Sequence, residues 1–377
     1  MSARGPAAHV LVTGATGFLG RHVVHRLLGA GRPVAVLARP MGGRGAEERV
    51  AESLGCARDR LPVTVVEGDL AAPRAGLDPR ALDWLQRHAA RVVHCAGDTT
   101  FFPAAAGPFR AGHVEGPRWL LEALAAGGQL TRWVHVSTAF VCGRRRGRVL
   151  ETEGDVGQAF HNPYERVKLE SEVALRTAGA TQGVDVRILR PAIIVGRAPG
   201  TAGGGPSALF FAFIRLAAML GRLAGGAEVP LRVAACPRAP FNIVPVEYVA
   251  AAIAVLAEHP AADGIACHLV VPAPPTQAAM LRMIAGHLGV RGLRLVDGPP
   301  PDPTPFEEQV AAMLAPYREY LEQDVRFDDA VARPALAACG VPPPVLDETA
   351  VGHLVRAALA TPARRPAALA PVSLGSG

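Results

Sequence analysis

Lysine is all but absent from this chain. Of 39 basic residues in 377, one is lysine, Lys168, and the other 38 are arginine. Wherever plain positive charge serves, the chain uses Arg, so residue 168 calls for an ammonium in particular. That group is a compact point charge with three rotatable donors, where Arg presents a planar fork. Aromatic residues are also scarce, at 5%, and there are four tyrosines. One of them, Tyr164, stands four residues before the lysine in His161-Asn162-Pro163-Tyr164-Glu165-Arg166-Val167-Lys168.

Other scarcities exclude whole classes of function. The six cysteines are scattered without a C-x-x-C pair, so neither a zinc site nor a disulfide framework is expected, and no metal. Cys95, Cys142 and Cys267 sit in apolar, strand-like runs, as buried thiols do in a reducing compartment. The charge balance is 39 basic minus 33 acidic, or +6, with no Lys/Arg block of the kind that binds nucleic acid. Residues 1–8 are short, small and polar, so no secretory signal is expected before the first strand. The most apolar segment, Ser207 to Leu223, is interrupted by Arg215 and Arg222, which argues against a membrane span. A soluble, cytoplasmic protein is the expectation. Residues 361–377 are Pro/Ala/Gly/Ser-rich without periodicity, a composition expected to be disordered.

What is present is a strand–helix rhythm. Strand-like runs occur at His9–Thr13, Pro33–Ala38, Val63–Glu67, Arg91–Cys95, Trp133–Val136 and Val184–Leu189. Helical patterns at Phe18–Leu28, Ala46–Leu54, Pro79–Ala89, Gly116–Ala126 and Pro163–Ala178 lie between or beside them. Alternation with nearly continuous apolar strands predicts an α/β fold, a doubly wound parallel sheet covered on both faces. After Gly196 the rhythm breaks at a Gly/Pro stretch, Pro199 to Pro206, and residues 275–360 read as helices with short connectors. The expected organisation is a Rossmann domain from residues 1–196 with 241–271. A smaller, mostly helical substrate-binding lid takes 197–240 with 272–360.

Thr13-Gly14-Ala15-Thr16-Gly17-Phe18-Leu19-Gly20 follows the first strand and opens a helix. Gly14 permits the tight turn, Gly17 lets backbone N–H groups close on a pyrophosphate, and Gly20 lets helix and strand approach. The helix N-terminus adds partial positive charge. A ribose-binding acid is expected at the end of the second strand, yet Arg39 stands there without a nearby carboxylate. Arg39 suits a 2′-phosphate, which favours NADPH over NADH; Arg44 could assist. Asp69, in Gly68-Asp69-Leu70, is placed to accept the adenine amino group. Ala96 and Gly97, ending the fourth strand, let a nucleotide lie close.

Residues four apart share one helix face, so Tyr164 and Lys168 can point into one space. There the ammonium is expected to lower the phenol pKa and fit it for acid–base work. Together with Ser137-Thr138 after the fifth strand, these stretches resemble the extended short-chain dehydrogenase/reductase superfamily. More narrowly, the chain resembles the thioester-reductase and fatty acyl-CoA reductase (male-sterility-type) branch. That likeness rests on Gly68-Asp69-Leu70, Val93-His94-Cys95-Ala96-Gly97, Val134-His135-Val136-Ser137-Thr138-Ala139-Phe140-Val141-Cys142-Gly143 and Asn162-Pro163-Tyr164-Glu165.

The resemblance implies Tyr164 as proton donor, Lys168 as its tuner and ribose ligand, and Thr138 as the group bonding the substrate oxygen, with Ser137 the weaker fit. It implies that Leu70 belongs to the cofactor-binding set and that Pro191, Ile193 and Ile194 shelter the nicotinamide. The family's Asn on the fourth helix is replaced by His113. The implied activity is NADPH-dependent reduction of an acyl thioester to an aldehyde, and onward to an alcohol. The donor is an acyl-CoA or an acyl carrier protein; a ketone or alcohol dehydrogenase is the alternative, and a noncatalytic NADP(H)-binding module a further one. Cys142 lacks an adjacent base and is expected to be a packed thiol. The loop Gly143-Arg144-Arg145-Arg146-Gly147-Arg148 is expected to be a solvated basic loop, with phosphate binding as the alternative. The helix with Phe210, Phe211 and Phe213 either lines an acyl tunnel or packs as a lid, and His161 is read as structural.

Overall fold

Short valine-rich runs, most of them buried on both faces, and the amphipathic helices between them lay down the first half of the chain. The computed structural model describes residues 8–196, 207–258 and 264–360; the Gly/Pro stretch and the terminal tail lie outside the described residues. The chain begins β1 (His9–Thr13), α1 (Phe18–Gly29), β2 (Val34–Ala38), α2 (Ala46–Leu54), β3 (Thr64–Glu67), α3 (Pro79–His88) and β4 (Ala89–His94). It continues through α4 (Ala106–Arg110), a π-helical turn at Ala111–Glu115, α5 (Gly116–Ala125) and β5 (Arg132–Val136). Then come β6 (Gly147–Val149), α6 (Pro163–Gln182), β7 (Asp185–Pro191), β8 (Ile193–Val195), α7 (Ser207–Ala224) and β9 (Glu228–Ala235). The last part comprises β10 (Ile243–Pro245), α8 (Val246–Leu256), β11 (Ala266–Leu269), α9 (Gln277–Leu288), β12 (Arg291–Asp297) and α10 (Pro305–Leu314). It ends with α11 (Arg318–Leu321), β13 (Val325–Phe327), α12 (Ala332–Ala338) and α13 (Glu348–Ala360).

Seven strands form one parallel sheet in the order β3-β2-β1-β4-β5-β7-β11. This is the doubly wound Rossmann arrangement that the strand–helix rhythm predicts. Strand order reverses between β1 and β4, so the loops after these two strands diverge and leave a crevice at their carboxyl ends. Val10, Val12, Val24, Leu27, Ile253 and Leu256 fill one face. Leu11, Leu85, Leu120, Leu121, Trp133 and Leu175 fill the other.

The returning segment 241–271 gives the sheet one strand, β11, while β10 pairs with β8 as a separate two-stranded ribbon. One expectation needs correction. Residues 275–360 are not all helix: β12 pairs in parallel with β9, and β13 with β6. Leu293 and Leu295 of β12 share a small core with Val229, Leu231 and Val233 of β9. That alternation is the period of a half-buried strand. Residues within 325–339 also pack back on the large domain, where Ala332 and Leu336 join the α1–α8 core.

Helix α6 positions most of the chemistry. Asn162 caps it by accepting from the Glu165 backbone N–H at 3.1 Å, Pro163 occupies its first turn, and Gly183 ends it at φ 69°. Further along, Glu172 forms a two-pronged pair with Arg190 of β7, at 2.6 and 3.0 Å, with both side chains 2% exposed. Removing one partner leaves the other charge buried and unpaired, so Glu172→Ala should lower unfolding free energy by about 3–5 kcal/mol. Urea unfolding of the variant measures this; a loss below ~1 kcal/mol would show that the pair does not fasten α6 to the sheet.

Candidate active site

The glycine turn builds one wall of a cavity of about 370 Å³ at the switch point. Gly14 has φ +74°, and a Cβ there would lie 2.6 Å from the Ala96 backbone nitrogen. A Cβ on Gly20 would meet the Gly14 carbonyl oxygen. Helix α1 has Gly17 at its N-cap, no side-chain cap and no acid in its first turn. Its N–H groups are therefore open to an anion. Gly14, Gly17, Phe18, Leu19 and Gly20 line the cavity, and Ala96 and Gly97 line it from the end of β4. Pro191, Ile193 and Ile194 contribute from β7 and β8. Small residues and an uncapped helix end fit a dinucleotide.

Thr138, Tyr164 and Lys168 line the same cavity. Thr138 caps the short turn Ala139–Cys142, accepting from the Phe140 N–H at 3.3 Å. That turn ends at Gly143, whose φ of 58° and contact with the Ala159 carbonyl leave no space for a Cβ. Ser137 also lines the cavity, and its buried Oγ has no hydrogen-bond partner among the described residues. Lys168 is 3% exposed. Its Nζ donates to the Val136 carbonyl at 2.7 Å and lies 3.3 Å from His135 Nε2. Burial, only partly opposed by the Glu172 carboxylate, lowers Lys168 to about 8.

One electrostatic expectation fails. Tyr164 is not lowered toward neutrality: burial, and second the adjacent Glu165 carboxylate, push the phenol up. Glu165 is fully buried and accepts from the His161 N–H at 2.9 Å, from the His161 ring and from the Tyr320 hydroxyl. His161 thus serves this buried network, with its ring 5.1 Å from that of Tyr320.

The Arg39 end is organised differently from the expectation. Arg39 donates to Asp69 at 3.1 Å, so that carboxylate is engaged by the guanidinium and by the Ala71 N–H. Leu70 is buried in the core beneath α5, outside the cavity lining. Thr16 is also outside that lining; it accepts from Arg49 Nη2 at 3.4 Å. Arg49 of α2 also donates to the Arg39 carbonyl. Burial first, then Arg39 and Arg44, lower Arg49, so three guanidiniums converge beside the glycine turn.

Beyond the trio the cavity is mostly apolar, with Asn242, Gln277 and Gln323 as its amide side chains. Phe210 and Phe213 of α7, Phe241, and Met280 and Ile284 of α9 line it, with Leu295 and Leu314. Phe211 instead packs against Phe210, rings 5.6 Å apart. Among the described lining residues Lys168 is the one fixed charge. His113, also in the lining, is pushed down to about 4 by burial and then by Lys168, so it is neutral. Its Nε2 lies 2.9 Å from the Asp98 carbonyl, and its own carbonyl accepts from Ser171 Oγ at 2.7 Å. Cys142 is buried and its thiol is pushed up to about 12, mainly by burial, which removes it as a nucleophile. In the basic loop, Arg144 pairs with Glu319, Arg145 with Glu153 and Arg148 with Asp328. Those three tie the loop to its surroundings, leaving them little charge for a phosphate.

A family model for the male sterility protein matches residues 12–253. The chain belongs to the male sterility protein family. It is an NAD(P)-binding oxidoreductase of the short-chain dehydrogenase/reductase type. Over 218 residues it is 29% identical to a hybrid PKS-NRPS synthetase of Penicillium citrinum, covering 56% of this chain and 5% of that protein. Over 152 residues it is 31% identical to fatty acyl-CoA reductase 1 of Xenopus laevis, covering 37% of this chain and 29% of the relative. The chain therefore spans well under two thirds of these relatives. The terminal R domain from the myxalamid PKS-NRPS pathway shares the fold at a TM-score of 0.73 and 22% identity, over 96% of this chain and 94% of that one. Sugar-nucleotide epimerases share it too.

Several residues of this male sterility family member were given no role from sequence: Arg49 and Tyr320, and His94, Phe101 and His135, which stand in or next to the stretches that carry the resemblance. The signal for His94 and His135 was legible, since each is a polar residue inside a valine-rich central strand. Arg49, a surface-patterned helix residue among 38 arginines, carried none. As a test of the glycine turn, Gly14→Ala forces a side chain to φ +74°. The turn must then shift away from the Ala96 backbone, and roughly tenfold or greater weakening of NAD(P)H binding is expected, about 1–2 kcal/mol. Fluorescence titration with NADPH reads it, and wild-type affinity would remove the turn from the binding site.

Proposed function

We propose that the chain is an NADPH-dependent reductase of acyl thioesters, with an apolar acyl group delivered by coenzyme A or a carrier protein. One observation carries this reading: a single cavity runs from the glycine turn past Thr138, Tyr164 and Lys168 into an arm of aromatic and aliphatic walls. The arm's residues come from 207–241 and 280–314, mostly within the segments assigned from sequence to a substrate-binding lid. A charged aminoacyl group would be desolvated there with no opposite fixed charge among the described lining residues. An alkyl or polyketide-like chain would gain roughly 25 cal/mol for each Å² it buries.

The glycine turn would hold the pyrophosphate of the reduced cofactor and Pro191, Ile193 and Ile194 its nicotinamide, which would supply the hydride. Thr138 and Tyr164 hydrogen-bond the thioester oxygen, on which negative charge grows. Tyr164 passes its proton to that oxygen as the carbonyl carbon accepts the hydride. The hemithioacetal so formed breaks its C–S bond, releasing thiol and aldehyde. A second reduction of the aldehyde gives the alcohol. Lys168 keeps a positive charge beside the phenol and presents a donor to the ribose. The two named relatives, a PKS-NRPS synthetase and a fatty acyl-CoA reductase, support thioester chemistry.

Incubating the chain with NADPH and a panel of acyl-CoA, acyl-carrier and ketone substrates, with products read by mass spectrometry, tests the reading. Aldehyde or alcohol from apolar thioesters is the expected result, and Tyr164→Phe should abolish it while retaining NADPH binding. Turnover of ketones alone would overturn it. The cofactor choice has its own test. Arg39 and Arg49 each offer a charge-assisted bond to a 2′-phosphate, so the double change to Ser should raise the KM for NADPH by about 10–100-fold. The KM for NADH should stay nearly unchanged; equal effects on both would count against a 2′-phosphate site.

A further inference from the structure

The two central-strand histidines have no place in the chemistry above, yet each occupies the interior. His94 of β4 and His135 of β5 are both 0% exposed, in strands rich in valine. They are register partners in the sheet, and their rings stack 5.2 Å apart at 18°. His94 Nδ1 lies 2.7 Å from Thr13 Oγ1, which also accepts from the Ala96 N–H at 3.3 Å. His135 Nε2 faces Lys168 Nζ, while His135 Nδ1 and His94 Nε2 have no hydrogen-bond partner among the described residues. Burying two imidazoles with a bare nitrogen each is costly, and an apolar residue would fill either position without that cost. Their retention points to the one cation they meet.

We propose that His135 is a positioning residue for Lys168: a neutral imidazole whose Nε2 lone pair accepts from the ammonium. His94 and Thr13, lined up behind it on β4 and β1, hold the ring. An ammonium has three donors. Val136 O and His135 Nε2 take two, so the third remains for the cavity, and the head group cannot swing into the interior. A donor at Nζ requires the lone pair at Nε2 and places the ring proton on Nδ1. Burial and the Lys168 charge both push His135 far down, which keeps it neutral as the arrangement requires. The other groups facing Lys168 are Tyr164 and Glu172 on its own helix, His94 and Cys95 from β4 and the residue after it, and His113 from the π-helical turn. Among these, His135 is the side chain that meets Nζ at hydrogen-bond distance.

Loss of this acceptor disfavours the ammonium relative to the amine, so the Lys168 midpoint should fall. The lone lysine makes this measurable without turnover: protein grown on lysine carrying carbon-13 at Cε gives one lysine resonance. Its wild-type titration is expected near 8. His135→Leu should move the midpoint down by about one pH unit or more, because a hydrogen bond to a charged group is lost. His135→Gln carries an amide oxygen able to reach the Nε2 position, and should hold the midpoint near wild type. The inference rests on the proposed reaction for one further readout, the alkaline limb of kcat/KM, which should follow the NMR midpoint in both variants. A midpoint unmoved in His135→Leu, or moved equally in His135→Gln, would overturn the assignment. Failure of wild-type protein to reduce any thioester would sink the reductase reading alone, because the NMR titration still decides the role of His135.

Discussion

An ammonium buried beside a dinucleotide crevice is the constraint on which the rest of this structure depends. Removing that charge from water is expensive, and burial drags Lys168 down to about 8. What holds it charged comes from several elements at once: the Val136 carbonyl and His135 imidazole of β5, and the Glu172 carboxylate one turn along α6. Tyr164, Lys168 and Glu172 are spaced i, i+4, i+8, which stacks phenol, ammonium and carboxylate along one helical face. Glu172 is in turn neutralised by Arg190 of β7. The face of α6 therefore reads as alternating charge fastened to adjacent strands, and the helix cannot rotate or slide without stranding a buried ion.

That arrangement explains why the two ends of the cavity differ so much. The cofactor end is made of backbone: glycines, an uncapped helix and small strand-end residues leave N–H groups to do the binding. The far end is made of side chains, drawn from α7, α9 and α10, and is mostly apolar. Lys168 stands at the junction as the last fixed charge among the described lining residues. Phe101, after β4, joins the two halves by stacking on Tyr320 at 5.4 Å and approaching Tyr164 at 6.2 Å. The crevice is thus roofed by aromatic contact between the loop after β4 and the segment around α11.

The large parallel sheet and its helices were legible because periodicity, glycine placement and strand composition all pointed the same way. β1 and α2 match the boundaries expected from sequence, and Tyr164 and Lys168 share one cavity wall as their spacing required. The small ribbons were not legible. β6, β8, β10 and β13 have three residues each, too few for a period to register. Pairing between segments such as 147–149 and 325–327 is a property of the folded chain and not of either stretch. The Tyr164 electrostatics were misjudged for a related reason. Spacing along a helix gives the direction of a side chain, but says nothing about which neighbours desolvate it.

The raised phenol follows from the same packing. Burial, and after it the Glu165 carboxylate, favour the protonated form of Tyr164. Glu165 is itself fixed by His161 and by Tyr320, whose hydroxyl reaches it from beside the apolar arm. The carboxylate that favours the protonated phenol is therefore bonded to a wall of the cavity, and Tyr320, which shapes that wall, also stabilises the charge set against Tyr164.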